Sequence, residues 1–248
     1  MKKSLALLLG VSVITTGLFA ETSKLPSIAD EVKTYQEKGK NAAKKGGGKS
    51  PFSTKDMQAM QLFAKDLAKQ MPNPGLKVGD KAPDFSLKNA FGKEVRLYDE
   101  IKKGPVILTF YRGAWCPFCN MELHALNTSL PAFKKYNASV IAVTPQKPDK
   151  SAAQIKKDAY PFEILSDLDS KVIKNYKLLF KLSPELVAIY KKAGLNLEDF
   201  NGKGRNELPV PGTFVIDTKG VIRAAFADTD YKKRMEPVEI VKALKTIK

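Results

Sequence analysis

The chain is poor in the residue types that build metal centres and covalent scaffolds. Its 248 residues hold one histidine, one tryptophan and two cysteines. Two cysteines cannot staple a chain of this length, so a disulfide-framed fold is excluded. One histidine with two cysteines also falls short of the four ligands of a closed zinc site, so a tetrahedral metal centre would need carboxylates or a second chain. Acidic residues are scarce too: 26 Asp and Glu face 42 Lys and Arg, a formal charge of +16. Hydrophobic residues are not scarce. At 43% of the sequence they exclude a disordered chain and suffice for a core. The length fits one enzyme-sized domain with additions.

Long apolar runs are absent after residue 20. Before it, Lys2 and Lys3 precede an uncharged stretch, Ser4 to Ala20, that is mostly Leu, Val, Ile and Ala. This is the shape of a secretory signal, a little short of the roughly 20 residues that span a bilayer. Cleavage after Ala20 is expected, although Leu18 is large for the minus-three position and leaves an uncleaved anchor open. The expected product is exported and periplasmic, where disulfides persist. Its loss would remove only two of the 42 basic residues.

Residues 21–74 read as a helical extension. Ser27 caps a helix over 27–44 with Ile28, Val32 and Tyr35 on one side. Residues 41–49, rich in lysine with three consecutive glycines, read as a linker. A second helix starts behind Ser53 or Thr54, and Met57, Met60, Ala64, Leu67 and Met71 repeat at three and four along it, predicting a buried stripe before Pro72. From residue 75 to 248 strands alternate with helices. Strands are expected at 84–87, 94–97, 106–111, 139–143 and 162–165, helices from Pro117, over 149–158 and within 169–194. A hairpin over 212–226 and a closing helix from Pro237 complete a three-layer α/β domain with a mixed central sheet.

Both cysteines fall in Tyr111-Arg112-Gly113-Ala114-Trp115-Cys116-Pro117-Phe118-Cys119, between a buried strand and a helix start. A helix N-terminus offers unpaired N–H groups and a partial positive charge, which lower a thiol pKa and turn it into a nucleophile. Arg112 adds to that field. Cys116, Cys119, Leu123, Leu126, Leu130 and Phe133 share one helix face, so Cys119 is expected to begin the core stripe and Cys116 to lie at its open end. The i,i+3 spacing suits a reversible disulfide, whereas a bridge closing two residues would be a poor permanent staple. Pro211, next to the strand at 212–217, reads either as a cis-proline facing the dithiol or as the first residue of a strand. His124 points away from the thiols, and Ser183-Pro184-Glu185 reads as a helix start.

These residues resemble the peroxiredoxin family of alkyl hydroperoxide reductase and thiol-specific antioxidant type, which has a thioredoxin-like fold. The resemblance runs from about Gly79 to Leu244 and rests on Gly79-Asp80-Lys81-Ala82-Pro83-Asp84-Phe85, Phe110-Tyr111, Leu165-Ser166-Asp167, Thr213-Phe214-Val215-Ile216-Asp217 and Gly220-Val221-Ile222-Arg223. It puts Cys119 on the family's peroxidatic cysteine. The chain departs from the family where Arg112 stands for proline, Cys116 for threonine or serine, and Pro211 for arginine. Trp115 ahead of Cys-x-x-Cys, with Val210-Pro211, is instead similar to thioredoxins and glutaredoxins. The acid that many thioredoxins bury in the preceding strand has no counterpart at Thr109-Phe110.

The resemblance implies a thiol-dependent peroxidase in which Cys119 attacks a hydroperoxide, Cys116 resolves the sulfenic acid, and an external thioredoxin-like thiol reductant restores the pair. The alternative is disulfide exchange, with Cys116 as nucleophile, Cys119 resolving and Pro211 aligning a substrate disulfide. Arg112 and Trp115 support the pair in either case. Neither route requires a cofactor or a metal. A basic binding module is a third class, but its lysines would have to cluster with aromatics, and here they are dispersed, so no nucleic-acid partner and no stable membrane insertion after cleavage are expected. Homodimerisation is left open.

Overall fold

Val106–Phe110 (β3) runs down the middle of the molecule because every one of its five residues is buried. In this computed structural model, which describes residues 25–44 and 50–247, β3 lies in a seven-stranded sheet. The other strands are Ser86–Asn89 (β1), Glu94–Arg96 (β2), Ser139–Thr144 (β4), Glu163–Ser166 (β5), Gly212–Ile216 (β8) and Ile222–Ala227 (β9). Their order is β2-β1-β5-β4-β3-β8-β9. The pairs β3/β4 and β4/β5 are parallel, and β1/β2, β1/β5, β3/β8 and β8/β9 are antiparallel. This is the mixed sheet that the strand and helix alternation predicts. The predicted hairpin at 212–226 is present, turning at Asp217 and Gly220.

Alternation along the strands feeds two cores. Ile107, Ala142, Ile164 and Val215 face one side, under Pro117–Lys134 (α4), Pro148–Asp158 (α5) and Pro237–Thr246 (α9). Val106, Leu108, Phe110, Ile141 and Phe214 face the other, against Leu97–Ile101 (α3), Lys171–Asn175 (α6) and the buried Tyr176. A third, smaller cluster joins Pro184–Lys192 (α7), Leu197–Asn201 (α8) and the ribbon of Leu179–Lys181 (β6) with Glu207–Pro209 (β7). The sequence reading passes over α3, α8 and β7, each five residues or fewer and too short to show a period, and its helical reading of 169–194 is corrected at β6, which pairs with β7 as a strand.

The N-terminal extension forms two helices, Ile28–Lys44 (α1) and Thr54–Gln70 (α2). Ser53 caps α2 as predicted, in a capping box with Asp56. The predicted buried stripe is corrected: only Leu67 is buried, and Met57 is 44% exposed. Met60 packs against the third cluster together with Ala59 and Phe63, but it is only partly buried, and Met57 and Ala64 stay exposed. The signal-like residues 1–20, and residues 45–49 of the linker, lie outside the described part.

α1 is seated on α4 and α9. Ile28 and Val32 are buried in the first core, and Tyr35 meets Phe118 edge-on with ring centres 5.6 Å apart. Glu236, the N-cap of α9, accepts the Ile28 and Ala29 N–H groups on its two carboxylate oxygens, at 2.8 Å each. One carboxylate therefore satisfies two orphan donors at the start of α1. Glu236→Ala is expected to weaken the seating of α1 by about 1 kcal/mol. Hydrogen exchange should show faster amides in residues 28–40 and unchanged protection in β3 and β8.

Candidate active site

The Cys-x-x-Cys motif opens α4. Cys116 is the N-cap, in extended backbone (φ −90°, ψ 112°), and its Sγ accepts the Cys119 N–H at 3.4 Å. Pro117 occupies the first helical position, where a missing N–H is tolerated. The approach loop is held from two sides: Gln146 accepts the Ala114 N–H at 2.9 Å, and Asn120 donates to the Ala114 carbonyl at 2.9 Å. Gln146 and Gln154 also bond the buried Tyr111 hydroxyl. At Gly113, φ is +146° and a Cβ would stand 2.5 Å from Trp115 Nε1, so only glycine lets the indole lie over the loop.

Both thiols are free and both are buried. Cys116 is 1% exposed, which corrects the expectation that it lies open at the helix end. The cover is aromatic and cationic. Arg112 is buried, with its guanidinium 4.8 Å from the Trp115 ring and 4.5 Å from the Tyr231 ring, and it donates to the Tyr190 hydroxyl at 2.8 Å. No carboxylate among the described residues pairs with it. Tyr231 also meets Phe118, inside the motif, at 5.5 Å.

A second guanidinium reaches the other sulfur. Arg234, from the segment before α9, donates from Nη2 to Cys119 Sγ at 3.4 Å and from Nε to Glu122 at 2.6 Å. Glu122 also accepts from Thr109 at 3.0 Å and from Thr213 at 2.9 Å. The Arg234 and Glu122 side chains are 2% and 1% exposed. Every strong donor or acceptor around Cys119 thus belongs to a buried network.

The electrostatics separate the two thiols. At Cys116 burial opposes ionisation, but the Cys119 thiol, Arg112, Arg234 and the Cys119 N–H outweigh it and bring the pKa down to about 6. At Cys119 burial raises the pKa well above the usual thiol value, and the neighbouring Cys116 raises it further, despite Arg234. Both shifts favour Cys116 as the first of the two thiols to ionise, with the Cys119 N–H donating to its sulfur. The guanidinium of Arg112 is held charged against burial by Tyr190, the two sulfurs and Tyr231.

Residues 78–225 match the AhpC/TSA family. The chain belongs to that family. Among its relatives are a putative peroxiredoxin bcp of Helicobacter pylori, 31% identical over 66% of this chain and 95% of that protein, and the thiol-disulfide oxidoreductase ResA of Geobacillus kaustophilus, 29% identical over 64% and 74%. The solved structure of peroxidoxin BcpB from Mycobacterium tuberculosis superposes with a TM-score of 0.55 at 22% identity, covering 70% of this chain and 99% of that one. The fold is thioredoxin-like, and the chain is an oxidoreductase of the AhpC/TSA type.

Within this member of the AhpC/TSA family, the structure brings Cys116, Cys119, Arg112 and Trp115 together as the sequence predicts. Among the described residues no peptide bond is cis, so Pro211 follows the plainer reading, in trans immediately before β8. His124 is half exposed at the surface beside Asp158, away from the sulfurs. The guanidinium expected to be lost at Pro211 is supplied by Arg234 instead. The buried acid missing from β3 is supplied by Glu122, which bonds Thr109 from α4. Glu122 was detectable as a charge three residues after Cys119 beside an apolar stripe. Arg234, 115 residues away, carries no sequence signal.

Two outcomes follow from this geometry. Arg112→Met removes a cation from Cys116, so the thiolate should persist less far into acid and alkylation of the reduced protein at pH 7 should slow several-fold. Arg234→Met leaves Glu122 buried and unpaired, and urea unfolding should show a loss of about 3–5 kcal/mol, with Glu122→Gln/Arg234→Met recovering part of it.

Proposed function

We propose that the chain is a thiol-dependent peroxidase in which the Cys116–Cys119 pair cycles between dithiol and disulfide. The observation that carries this reading is a buried Cys-x-x-Cys pair flanked by the buried guanidinium groups of Arg112 and Arg234, on the scaffold of the AhpC/TSA family. The Cys116 thiolate attacks the terminal oxygen of a hydroperoxide, and the O–O bond breaks. Cys116 becomes a sulfenic acid, and the leaving alkoxide or hydroxide takes a proton from solvent. Arg112 stands where charge develops on the departing oxygen. The Cys119 sulfur then attacks Cys116, its proton leaves with the hydroxyl as water, and a disulfide forms. An external dithiol of thioredoxin type returns both electrons by two exchange steps. No cofactor enters the cycle.

In this cycle Cys116 attacks first, the reverse of the order implied by the family resemblance. The reason is the cysteine at the helix cap. Where the family keeps threonine or serine, this chain has a second sulfur that takes the Cys119 N–H and shares Arg112. The same thiolate also supports disulfide exchange, the activity in the name of the Geobacillus kaustophilus relative. The reading further includes export, supported by the basic start and apolar stretch of residues 1–20.

Single-cysteine variants separate these readings. Cys119→Ser should form a dimedone-reactive sulfenic acid at Cys116 with peroxide, at a rate near that of the native pair. A sulfenic acid at Cys119 in Cys116→Ser, with Cys119→Ser inert, restores the family order. If Cys119→Ser ignores peroxide but accumulates mixed disulfides with proteins, exchange is the activity.

A further inference from the structure

Arg112 is a buried cation without an anion of its own. It is 4% exposed, and the Tyr190 hydroxyl is its one hydrogen-bond partner among the described residues. Its Nε has none. A guanidinium offers five N–H donors in a planar fork, so most of this capacity is unused. Buried cations are ordinarily paired, and buried donors ordinarily find an acceptor.

Arg112 also forms part of the wall of a cavity of about 310 Å³, at the lower end of the range for small-molecule sites. Most of the remaining wall is apolar, with Met60 and Phe63 from α2, Leu186 from α7 and Val210 before β8. Lys232 is the only other charged side chain that lines it. The partner of Lys232, Asp230 at 3.4 Å, does not reach the cavity, and among the described residues no acidic side chain does. The space is therefore apolar along its length and positive at one end. Helix α2 lies wholly outside the family-matched residues 78–225, so its part of the wall is an addition to the family's domain.

We propose that this cavity binds a small organic monocarboxylate, which seats its apolar body between α2 and α7 and gives its carboxylate to the fork of Arg112. The planar guanidinium matches the two oxygens of a carboxylate. The apolar walls select an acid with a hydrocarbon body over a bare inorganic anion, and Met60 adapts to its shape. The ligand reacts with neither cysteine, and its effect on them runs through Arg112, which favours ionisation of Cys116. A bound carboxylate neutralises that cation, so the ligand and an ionised Cys116 compete for it. By linkage, conversion of the pair to the uncharged disulfide strengthens binding. This coupling rests on Cys116 being the first thiol to ionise, whereas the site itself does not.

The test is calorimetric titration of the full chain at pH 7, oxidised and reduced, with 3-phenylpropanoate, 3-phenylpropanamide and acetate. The oxidised protein should bind 3-phenylpropanoate at one saturable site. It should bind the amide, which lacks the charge, and acetate, which lacks the body, about tenfold more weakly. Arg112→Met, and Ala64→Phe, which narrows the cavity from the exposed face of α2, should each weaken 3-phenylpropanoate on the order of tenfold. The reduced protein should bind it on the order of fivefold more weakly than the oxidised one, and a saturating concentration should slow alkylation of Cys116 by a similar factor. No saturable binding, equal binding of the amide or acetate, or binding that neither variant weakens overturns the proposal. Charge-selective binding that is equal in the two redox forms retains the site and removes its coupling to Cys116, a result independent of whether the single-cysteine variants react with peroxide.

Discussion

Arg112 is the constraint on which the site depends. A guanidinium taken out of water costs several kcal/mol unless an anion compensates it, and none of the described carboxylates does so. What surrounds it is the Tyr190 hydroxyl, two aromatic faces and the sulfur of Cys116. The cation lowers the thiol pKa, and the thiolate in turn makes the buried cation tolerable. Arg234 meets the same requirement differently, with Glu122 as its anion and Cys119 as a further acceptor. The two cysteines consequently differ in their electrostatic surroundings although both are buried and only three residues apart.

The fold supplies the rest by placing loops from distant parts of the chain over one helix start. β3 delivers Arg112, β8 delivers Thr213 and Pro211, the segment after β9 delivers Tyr231 and Arg234, and α7 delivers Tyr190. The helices of the extension close two sides. α1 packs on Phe118 within the motif, and α2 stands opposite α7. Oxidation to the disulfide removes the negative charge that Arg112 faces, so the redox state of the pair is also a change in the electrostatics of the core.

Much of this was legible in the sequence. The Cys-x-x-Cys at a strand-to-helix junction located the site, and periodicity located the helices that carry it, because both are short-range patterns. What could not be read depends on distance along the chain. Arg234 looks like any lysine-flanked surface arginine until the segment before α9 folds back onto Cys119. Cys116 appeared open because helix geometry alone says nothing of the Arg112, Tyr190 and Tyr231 cover. The stripe on α2 has the period of a core helix, yet four of its five positions stay at least partly exposed because α2 packs on the small third cluster at the edge of the domain and not on either main core along its length. Pro211 shows the opposite case, a residue whose neighbours suggested a special geometry and which the structure leaves ordinary.

The central claim is that the first proton leaves Cys116 and not Cys119. It is tested most directly by carbon NMR of the reduced protein labelled at the cysteine Cβ, which follows both thiols in one titration. The account predicts that Cys116 titrates with a midpoint at about 6, while Cys119 stays protonated until well into the alkaline range. A Cys119 signal that moves first, with Cys116 unchanged through neutrality, would contradict it.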